Sequence, residues 1–222
     1  MPEVKTTARK IQKREKIIEV AIHMLKDKEY NEIRIEDISA EFKMAKSMLF
    51  YYFDSKAALY LAVLEKLHLD AVEDFREELR KSALGDYNQL RKYIMSITHN
   101  YIQQHFLLIK LLDCEERIYS EAQPAAIQDT NKRISIAYDA LLSEILQKSE
   151  LFVRNELFYI FEVQRHFLRG YYRQMISKVK YFYATDSSDR QFERTSLYEF
   201  RVLHMMRYFY DGIVSDKKRV DK

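Results

Sequence analysis

The stretch that decides the fold runs from residue 33 to residue 60 and reads IRIEDISAEFKMAKSMLFYYFDSKAALY. It contains two sets of apolar residues at helical spacing, first Ile35, Ile38 and Phe42, then Met44, Leu49 and Phe53. The two sets are separated by a break at residues 43–45. This pattern predicts two short helices joined by a tight turn, followed by the start of a longer helix.

The second short helix, predicted over about residues 46–52, presents an unusual mixture of side chains to solvent. The mixture comprises Lys46, Ser47, Met48, Tyr51 and Tyr52. A cation, hydroxyls and aromatic rings suit contacts with phosphates and base edges. Asp54 and Ser55 are N-cap candidates for the next helix, whose first turn holds Lys56, so backbone N–H groups and an ammonium would both be available to a phosphate. The stretch therefore predicts a DNA-binding unit.

The composition indicates an almost wholly helical protein. Its 222 residues include only 3 Gly and 2 Pro, the residues that strands and tight turns use most. A single Cys excludes an intramolecular disulfide and fits a reducing compartment. The opening MPEVKTTARKIQKREK lacks the apolar core of a signal peptide, and the uncharged run from Tyr93 to Ile109 is too polar to span a membrane. We therefore expect a cytoplasmic, all-α protein with no membrane partner.

Positive charge is concentrated at the start of the chain. The formal net charge is only +3, but residues 1–16 hold six Lys or Arg against two Glu. A solvated basic helix would explain this cluster on its own, and so would contact with a nucleic acid.

The stretch quoted above resembles the N-terminal domain of the TetR family of bacterial transcriptional repressors. The resemblance covers about residues 9–65 and is carried by Asp37-Ile38-Ser39, Lys43-Met44-Ala45, the run from Lys46 to Phe53, Ser55-Lys56 and Leu59. It implies a helix-turn-helix DNA-binding domain at residues 1–55 and a ligand-binding and dimerisation domain at residues 56–222. It also implies a homodimer that represses transcription at a palindromic double-stranded operator and is released by a small molecule.

Within this unit we divide the expected DNA contacts into two groups. Base specificity is assigned to Arg34, Lys46, Ser47, Met48 and Tyr51, and phosphate contact to Thr7, Tyr52 and Lys56. Three residues depart from the family's pattern: Lys43 replaces a glycine, Arg34 a threonine and Phe50 a tyrosine. A left-handed backbone at Lys43 would cost about 1–2 kcal/mol. Arg34 removes a helix cap but adds a cation, and Phe50 lacks one hydroxyl contact.

Periodicity predicts about nine helices in all. The first ends near Asp27 and the next two are the short helices described above. Of the others, five are predicted at about Lys56–Lys81, Tyr87–Gln104, Phe106–Tyr119, Phe152–Tyr183 and Arg190–Val214, and one follows Pro124 and reaches about Lys148.

The last two helices hold 10 and 6 of the chain's 30 Phe and Tyr residues. One predicted stripe is Leu157, Phe161, Gln164, Leu168, Tyr171, Met175 and Val179, and the other is Leu197, Phe200, Leu203, Arg207, Tyr210 and Ile213. Further aromatic residues lie off these stripes at Tyr159, Phe167, Tyr172 and Tyr208. A helix that is apolar on more than one side needs two partners, so we interpret these helices as a four-helix dimer interface, with packing inside one chain as the alternative.

The family resemblance implies an effector pocket without identifying its walls. We select Tyr101, Tyr138, Phe161, Gln164 and Arg165 because they place polar groups on or beside apolar helical stripes. Such a lining favours an apolar or aromatic small molecule. No motif for a cofactor, a nucleotide or a metal occurs, and the six His are scattered. Cys114 is interpreted as a small buried thiol, with redox sensing as the alternative.

Three other functions compete with the repressor hypothesis. A helical adaptor could keep the fold and lose DNA binding, with Lys43 and Arg34 as symptoms. An enzyme is disfavoured because no paired acid and base constellation occurs. Membrane association through the first helix is disfavoured by Glu15 and Glu19 along its length.

Overall fold

The computed structural model describes the backbone of residues 2–182 and 189–220 and the side chains of residues 8–176 and 196–219. Those residues form ten helices and no strand, which confirms the all-α class. The helices are α1 (Pro2–Asp27), α2 (Ile35–Glu41), α3 (Lys46–Phe50), α4 (Lys56–Lys81), α5 (Tyr87–Gln104), α6 (Phe106–Asp113), α7 (Glu115–Glu121), α8 (Pro124–Lys148), α9 (Arg154–Phe182) and α10 (Asp189–Val220). None of these helices is long and apolar enough to cross a membrane.

The tenth helix arises because the helix predicted from Phe106 to Tyr119 is divided at Cys114. Cys114 has φ −98° and ψ 2°, outside helical geometry. Its N–H bonds to the carbonyl three residues back, on Leu111, at 3.0 Å, and its own carbonyl accepts from Arg117 at 3.1 Å. The chain therefore makes a tight turn here and restarts as α7.

The residues group into two compact units. The first contains Met1–Leu69 and Lys110–Ser135, and the second contains Asp70–Ile109 and Ile136–Lys222. Helices α4, α6 and α8 each contribute residues to both units. These boundaries differ from the expected division between residues 55 and 56. That division assigned DNA binding to the first segment and ligand binding and dimerisation to the second, and this assignment of functions remains a prediction.

The core of the first unit contains one apolar face each of α1, α2 and α3. On α1 this face is Ile17, Ala21 and Leu25, all with no exposed surface. Ile38 of α2 and Leu49 of α3 are equally buried. Burying each of these Ile and Leu side chains contributes about 1.5–3 kcal/mol to folding, so this frame fixes how α2 and α3 are held against α1.

The second unit buries much of the face predicted for α9, but a different face of α10 from the predicted one. The buried residues are Leu157, Ile160, Gln164, Leu168 and Tyr172 on α9, and Tyr198, Val202, Met206, Tyr210 and Val214 on α10. The stripe predicted for α10 shares only Tyr210 with the observed face, and Leu197 and Phe200 are 48% and 61% exposed. On α10 the buried residues follow one another at intervals of four. The predicted stripe had intervals of three or four, because it was drawn through the most apolar residues of the sequence. On α9, the predicted Val179 lies outside the described side chains.

Candidate functional site

Helix α2 ends in a Schellman motif whose left-handed residue is Lys43. The N–H of Met44 bonds to the carbonyl of Ser39 at 2.9 Å, and the N–H of Lys43 bonds to the carbonyl of Ala40 at 3.0 Å. Lys43 has φ 53°, in the region that glycine adopts without strain. Lys43 therefore takes the left-handed backbone whose cost was considered above, and the turn forms with a lysine in place of glycine.

The start of α2 shows what replacing a threonine by Arg34 removes. A guanidinium has no acceptor, so the Arg34 side chain cannot bond to the first free N–H groups of the helix. The reciprocal bond is present, because the Asp37 carboxylate accepts from the backbone N–H of Arg34 at 3.0 Å. Arg34 itself is exposed, as a contact with DNA would require.

Helix α3 presents a polar outer face on an anchored inner one. Lys46, Ser47 and Met48 are exposed, whereas Leu49 has no exposed surface. The helix ends at Phe50 rather than at Tyr52, and Tyr51 and Tyr52 follow in a turn. Five of the predicted DNA contacts are therefore consecutive or nearly so on one short segment.

Lys46 is held by an ion pair that sequence spacing did not reveal. Its Nζ lies 2.5 Å from the Glu36 carboxylate of α2, and both side chains are about half exposed. The hydrogen bond from Lys46 lowers the pKa of Glu36. Because ten residues separate them, only the packing of α2 against α3 brings this carboxylate beside the first cation of α3.

The ring of Tyr51 is supported from two sides. It meets Tyr52 edge to face with ring centres 5.2 Å apart, and the Nζ of Lys10 lies 4.5 Å from its centre. One turn further along α1, Arg14 stacks 4.8 Å from the ring of Phe53. The basic residues of α1 thus border the exposed α3 segment. Sequence reasoning noted this cluster but did not include Lys10 in the site.

Lys56 lies at the start of α4, where Ser55 is the N-cap and accepts from the N–H of Ala58 at 3.0 Å. Its ammonium donates to the carbonyl of Tyr30 and lies 3.9 Å from the centre of the Tyr30 ring. Burial lowers the pKa of Lys56. The predicted phosphate contact is therefore also tied to the segment between α1 and α2.

Two further side chains hold that same segment. The Tyr30 hydroxyl donates to Glu121 of α7 at 2.8 Å, and a hydrogen bond from Arg117 lowers the pKa of Glu121. Lys110 of α6 is almost buried and donates to the carbonyl of Leu25, the last turn of α1, at 2.9 Å. A cation at a helix C-terminus is favourable because it meets the unpaired carbonyls. The chain between α1 and α2 is thus fixed from α4, α6 and α7.

The remaining predicted DNA contact is Thr7. It belongs to α1, but its side chain lies outside the described residues.

The selected effector residues lie in the second unit, and three of them are close in space. The hydroxyls of Tyr101 and Tyr138 are 3.4 Å apart, and Arg165 interacts electrostatically with both. Burial raises the pKa of both phenols. An O–H···O bond is usually about 2.8 Å long, so this contact between the two hydroxyls is a weak one.

Gln164 is 3% exposed and donates to the hydroxyl of Thr98 at 2.7 Å. Thr98, which sequence reasoning missed, is fully buried and lies one turn before Tyr101 on α5. A polar residue three positions before a selected tyrosine was the signal that could have identified it. Phe161 is partly buried, and its place in the set remains a prediction.

An aromatic wall adjoins Tyr101. The fully buried Phe75 of α4 lies 5.4 Å from it between ring centres, and His105 lies 6.1 Å from both rings. His105 Nε2 is also 2.9 Å from the Asp74 carboxylate. Together these residues form a buried cluster of hydroxyls and rings.

Comparison with known proteins connects the first unit with a large family. Residues 17–63 match the profile of the family described as "Bacterial regulatory proteins, tetR family". This match spans α2, α3, the turn between them and the start of α4.

Three proteins of similar sequence carry names that describe them as transcriptional regulators. The chain is 24% identical over 160 residues to the uncharacterized HTH-type transcriptional regulator YuxN of Bacillus subtilis, covering 71% of this chain and 54% of that one. It is 29% identical to the biofilm operon icaADBC negative transcriptional regulator IcaR of Staphylococcus epidermidis, covering 49% and 58%. It is 28% identical to the transcriptional repressor NicS of Pseudomonas putida, covering 46% and 47%. The chain spans about half the length of these relatives.

A solved structure extends the likeness of fold to both units. A tetR-family transcriptional regulator from Streptomyces coelicolor superposes with a TM-score of 0.57 over 93% of this chain and 83% of that one, at 14% identity. At this identity the similarity concerns the fold alone.

Proposed function

Since this chain belongs to the TetR family of bacterial regulatory proteins, we propose that it represses transcription as a homodimer that places α3 of each subunit in the major groove of a palindromic operator. The observation that carries the proposal is the outer face of α3. Lys46, Ser47 and Met48 are exposed beside the buried anchor Leu49, on a helix held by the Schellman turn. Operator binding would place this action in the cytoplasm.

The side chains around α3 support the proposed division of DNA contacts. Base contacts are assigned to Arg34, Lys46, Ser47, Met48 and Tyr51, and phosphate contacts to Thr7, Tyr52 and Lys56. The ammonium of Lys10 lies beside Tyr51, so we add Lys10 to the residues assigned to phosphate contact. Contacts with phosphates set affinity and position, whereas contacts with base edges set sequence preference.

An exposed aromatic surface on α9 and α10 supports the dimer. We define the aromatic face as Phe158, Tyr159, Phe200, His204 and Tyr208. Its four Phe and Tyr residues are all more than half exposed. His204 stacks on Phe200 with centres 5.3 Å apart and meets Tyr208 edge to face at 4.6 Å, so the α10 part is already ordered. An exposed aromatic patch of this kind is typical of an interface, and a second copy supplies the partner that the family's four-helix arrangement requires.

The Tyr101–Tyr138 pair is the proposed effector site. The two phenols, the nearby Arg165 and the rings of Phe75 and His105 suit an aromatic small molecule with a hydroxyl or anionic group. Helix α4 continues from Lys56 past Phe75 as one helix. A ligand that displaces Phe75 would therefore act on the same helix that holds the proposed phosphate contact, and this is the proposed route of release.

DNA binding is tested by fluorescence anisotropy with duplexes from the region upstream of the gene. We expect one dimer per palindrome and a loss of specific binding in Lys46→Ala. Lys132→Ala is the matched control, because Lys132 is also an exposed lysine but lies on α8. A folded protein that binds no such duplex better than a scrambled one would favour the adaptor hypothesis instead.

A further inference from the structure

A surface groove lies between α5 and α10 of the second unit. Its volume is about 530 Å³, within the range of about 300–1,000 Å³ usual for small-molecule sites. Its main lining residues are Arg91, Lys92, Met95 and His99 of α5 and Leu203 and Arg207 of α10. None of the residues assigned to the DNA or effector sites lines it.

Two of the four basic groups in the groove already have acidic partners. Arg91 pairs with Asp211 at 3.0 Å, and His99 pairs with Glu199. Lys92 and Arg207 are exposed and have no carboxylate partner within the part of the chain whose side chains are described. The groove therefore carries two positive charges that an anion could neutralise.

The two ion pairs also show how the groove is oriented. Arg91 meets Asp211 at one end and His99 meets Glu199 at the other, so the two helices run antiparallel along it. Lys92 follows Arg91 directly, and Arg207 lies one turn before Asp211 on α10. Both unpaired cations thus belong to the same end.

The middle of the groove is lined by two apolar side chains and by Ser96, whose hydroxyl donates to Glu78 at 2.9 Å. Met95 and Leu203 are partly buried and lie between the two ion pairs along their helices. From Lys92 to His99 the helix rises about 10 Å, which is the length available to an apolar body. Arg207 also occupies a position where the periodicity of α10 led us to expect an apolar residue, and no ion pair among the described residues accounts for it.

We propose that this groove binds a small amphipathic anion, with its carboxylate or phosphate between Lys92 and Arg207 and its apolar part over Met95 and Leu203. The site is separate from the Tyr101–Tyr138 pair. It does not depend on the proposed operator binding, so either proposal can fail alone.

The groove can be tested by NMR of protein labelled with ¹³C at the methionine methyl groups. The chain has 8 Met, and the Met95 signal is assigned with Met95→Leu. Sodium octanoate is the probe, 1-octanol has the same chain without charge, and inorganic phosphate has charge without a chain. We expect octanoate to shift the Met95 signal saturably, with about tenfold weaker binding of 1-octanol and of phosphate.

Variants assign that binding to the two cations. Lys92→Gln/Arg207→Gln should weaken octanoate about tenfold and leave 1-octanol unchanged, because each exposed charge contributes a modest part of the affinity. Lys132→Gln should leave octanoate binding unchanged. Equal octanoate affinity in the double variant would overturn the proposal. So would a Met95 signal that octanoate leaves unmoved, including one that responds only to protein concentration because a second copy covers the groove.

Discussion

The ammonium of Lys56 lies 3.9 Å from the centre of the Tyr30 ring and donates to the Tyr30 carbonyl. The first residue of α4 is thereby joined to the segment between α1 and α2. An ammonium has three N–H donors, so this contact leaves capacity for a phosphate. Lys56 would then serve both the internal structure and the operator.

Lys56→Ala should weaken binding to all duplexes alike. Removing one phosphate contact lowers the slope of log affinity against log salt concentration by about one without changing base preference. Anisotropy titrations at several salt concentrations, with the operator and with a scrambled duplex, measure both quantities.

Tyr30→Phe is the control for the structural part of this effect. It keeps the ring and the carbonyl that contact Lys56 but removes the hydroxyl that donates to Glu121 at 2.8 Å. Urea unfolding should show that the free energy of unfolding falls by about 1 kcal/mol. The salt slope of DNA binding should stay that of the unaltered protein. A change of preferred base in Lys56→Ala would show that Lys56 reads sequence instead.

Glu36→Gln should increase affinity for the operator by about two- to fivefold. In the unaltered protein the Glu36 carboxylate lies 2.5 Å from the Lys46 ammonium and would also repel phosphates. Removing the charge of Glu36 therefore frees the Lys46 ammonium for DNA. The salt slope should steepen for the same reason. Glu77→Gln, an exposed carboxylate in the second half of α4, removes the same charge and should have no such effect. Weaker binding in Glu36→Gln would mean that the pair positions Lys46 for DNA.

Lys43→Gly should stabilise the first unit. The left-handed backbone costs a non-glycine residue about 1–2 kcal/mol. Glycine lowers the free energy of unfolding by about 0.5–1 kcal/mol because its unfolded chain has more conformational freedom. We therefore expect the free energy of unfolding to rise by about 0.5–1 kcal/mol. Urea unfolding monitored by circular dichroism measures it. Lys43→Ala keeps the strain and should show no gain; a gain of equal size in that variant would assign the effect to the lysine charge.

Phe200→Glu should shift the protein toward monomer. A carboxylate within the aromatic face would be buried without a partner in the dimer, which should weaken association about tenfold or more. Sedimentation velocity at several concentrations gives the dissociation constant. Ile136→Glu is the matched control, because Ile136 is 59% exposed on α8, outside the aromatic face. Equal sedimentation of Phe200→Glu and the unaltered protein would remove this face from the interface.

An effector and the operator should weaken each other by the same factor. Coupling between two sites is reciprocal and typically amounts to 1–3 kcal/mol. A ligand found by thermal shift among aromatic alcohols and acids would be titrated calorimetrically with and without operator. The double variant Tyr101→Phe/Tyr138→Phe should bind this ligand much more weakly, since the two hydroxyls are the proposed binding partners of the ligand. Unchanged ligand affinity in the presence of operator would refute release, and tighter affinity would make the ligand a co-repressor.

The local features of this protein could be predicted from the sequence alone. The bounds predicted for α4 and α5 are those observed, α8 ends at the predicted Lys148, and Ser55, one of two N-cap candidates, caps α4. Helices, caps and turns depend on hydrogen bonds and side chains a few residues apart, and 3.6-residue periodicity records them directly. The helix-turn-helix unit belongs to this class of feature.

The contacts that tune the candidate sites were decided by tertiary structure. Lys46 meets a carboxylate ten residues away, and Lys56 meets a carbonyl and a ring twenty-six residues away. On α10, periodicity allowed several faces, and packing selected the one through Tyr198 and Val202, leaving Phe200 exposed and Arg207 on the groove. An aromatic-rich helix carries apolar groups on every side, so which of them is buried depends on which neighbouring helix covers it.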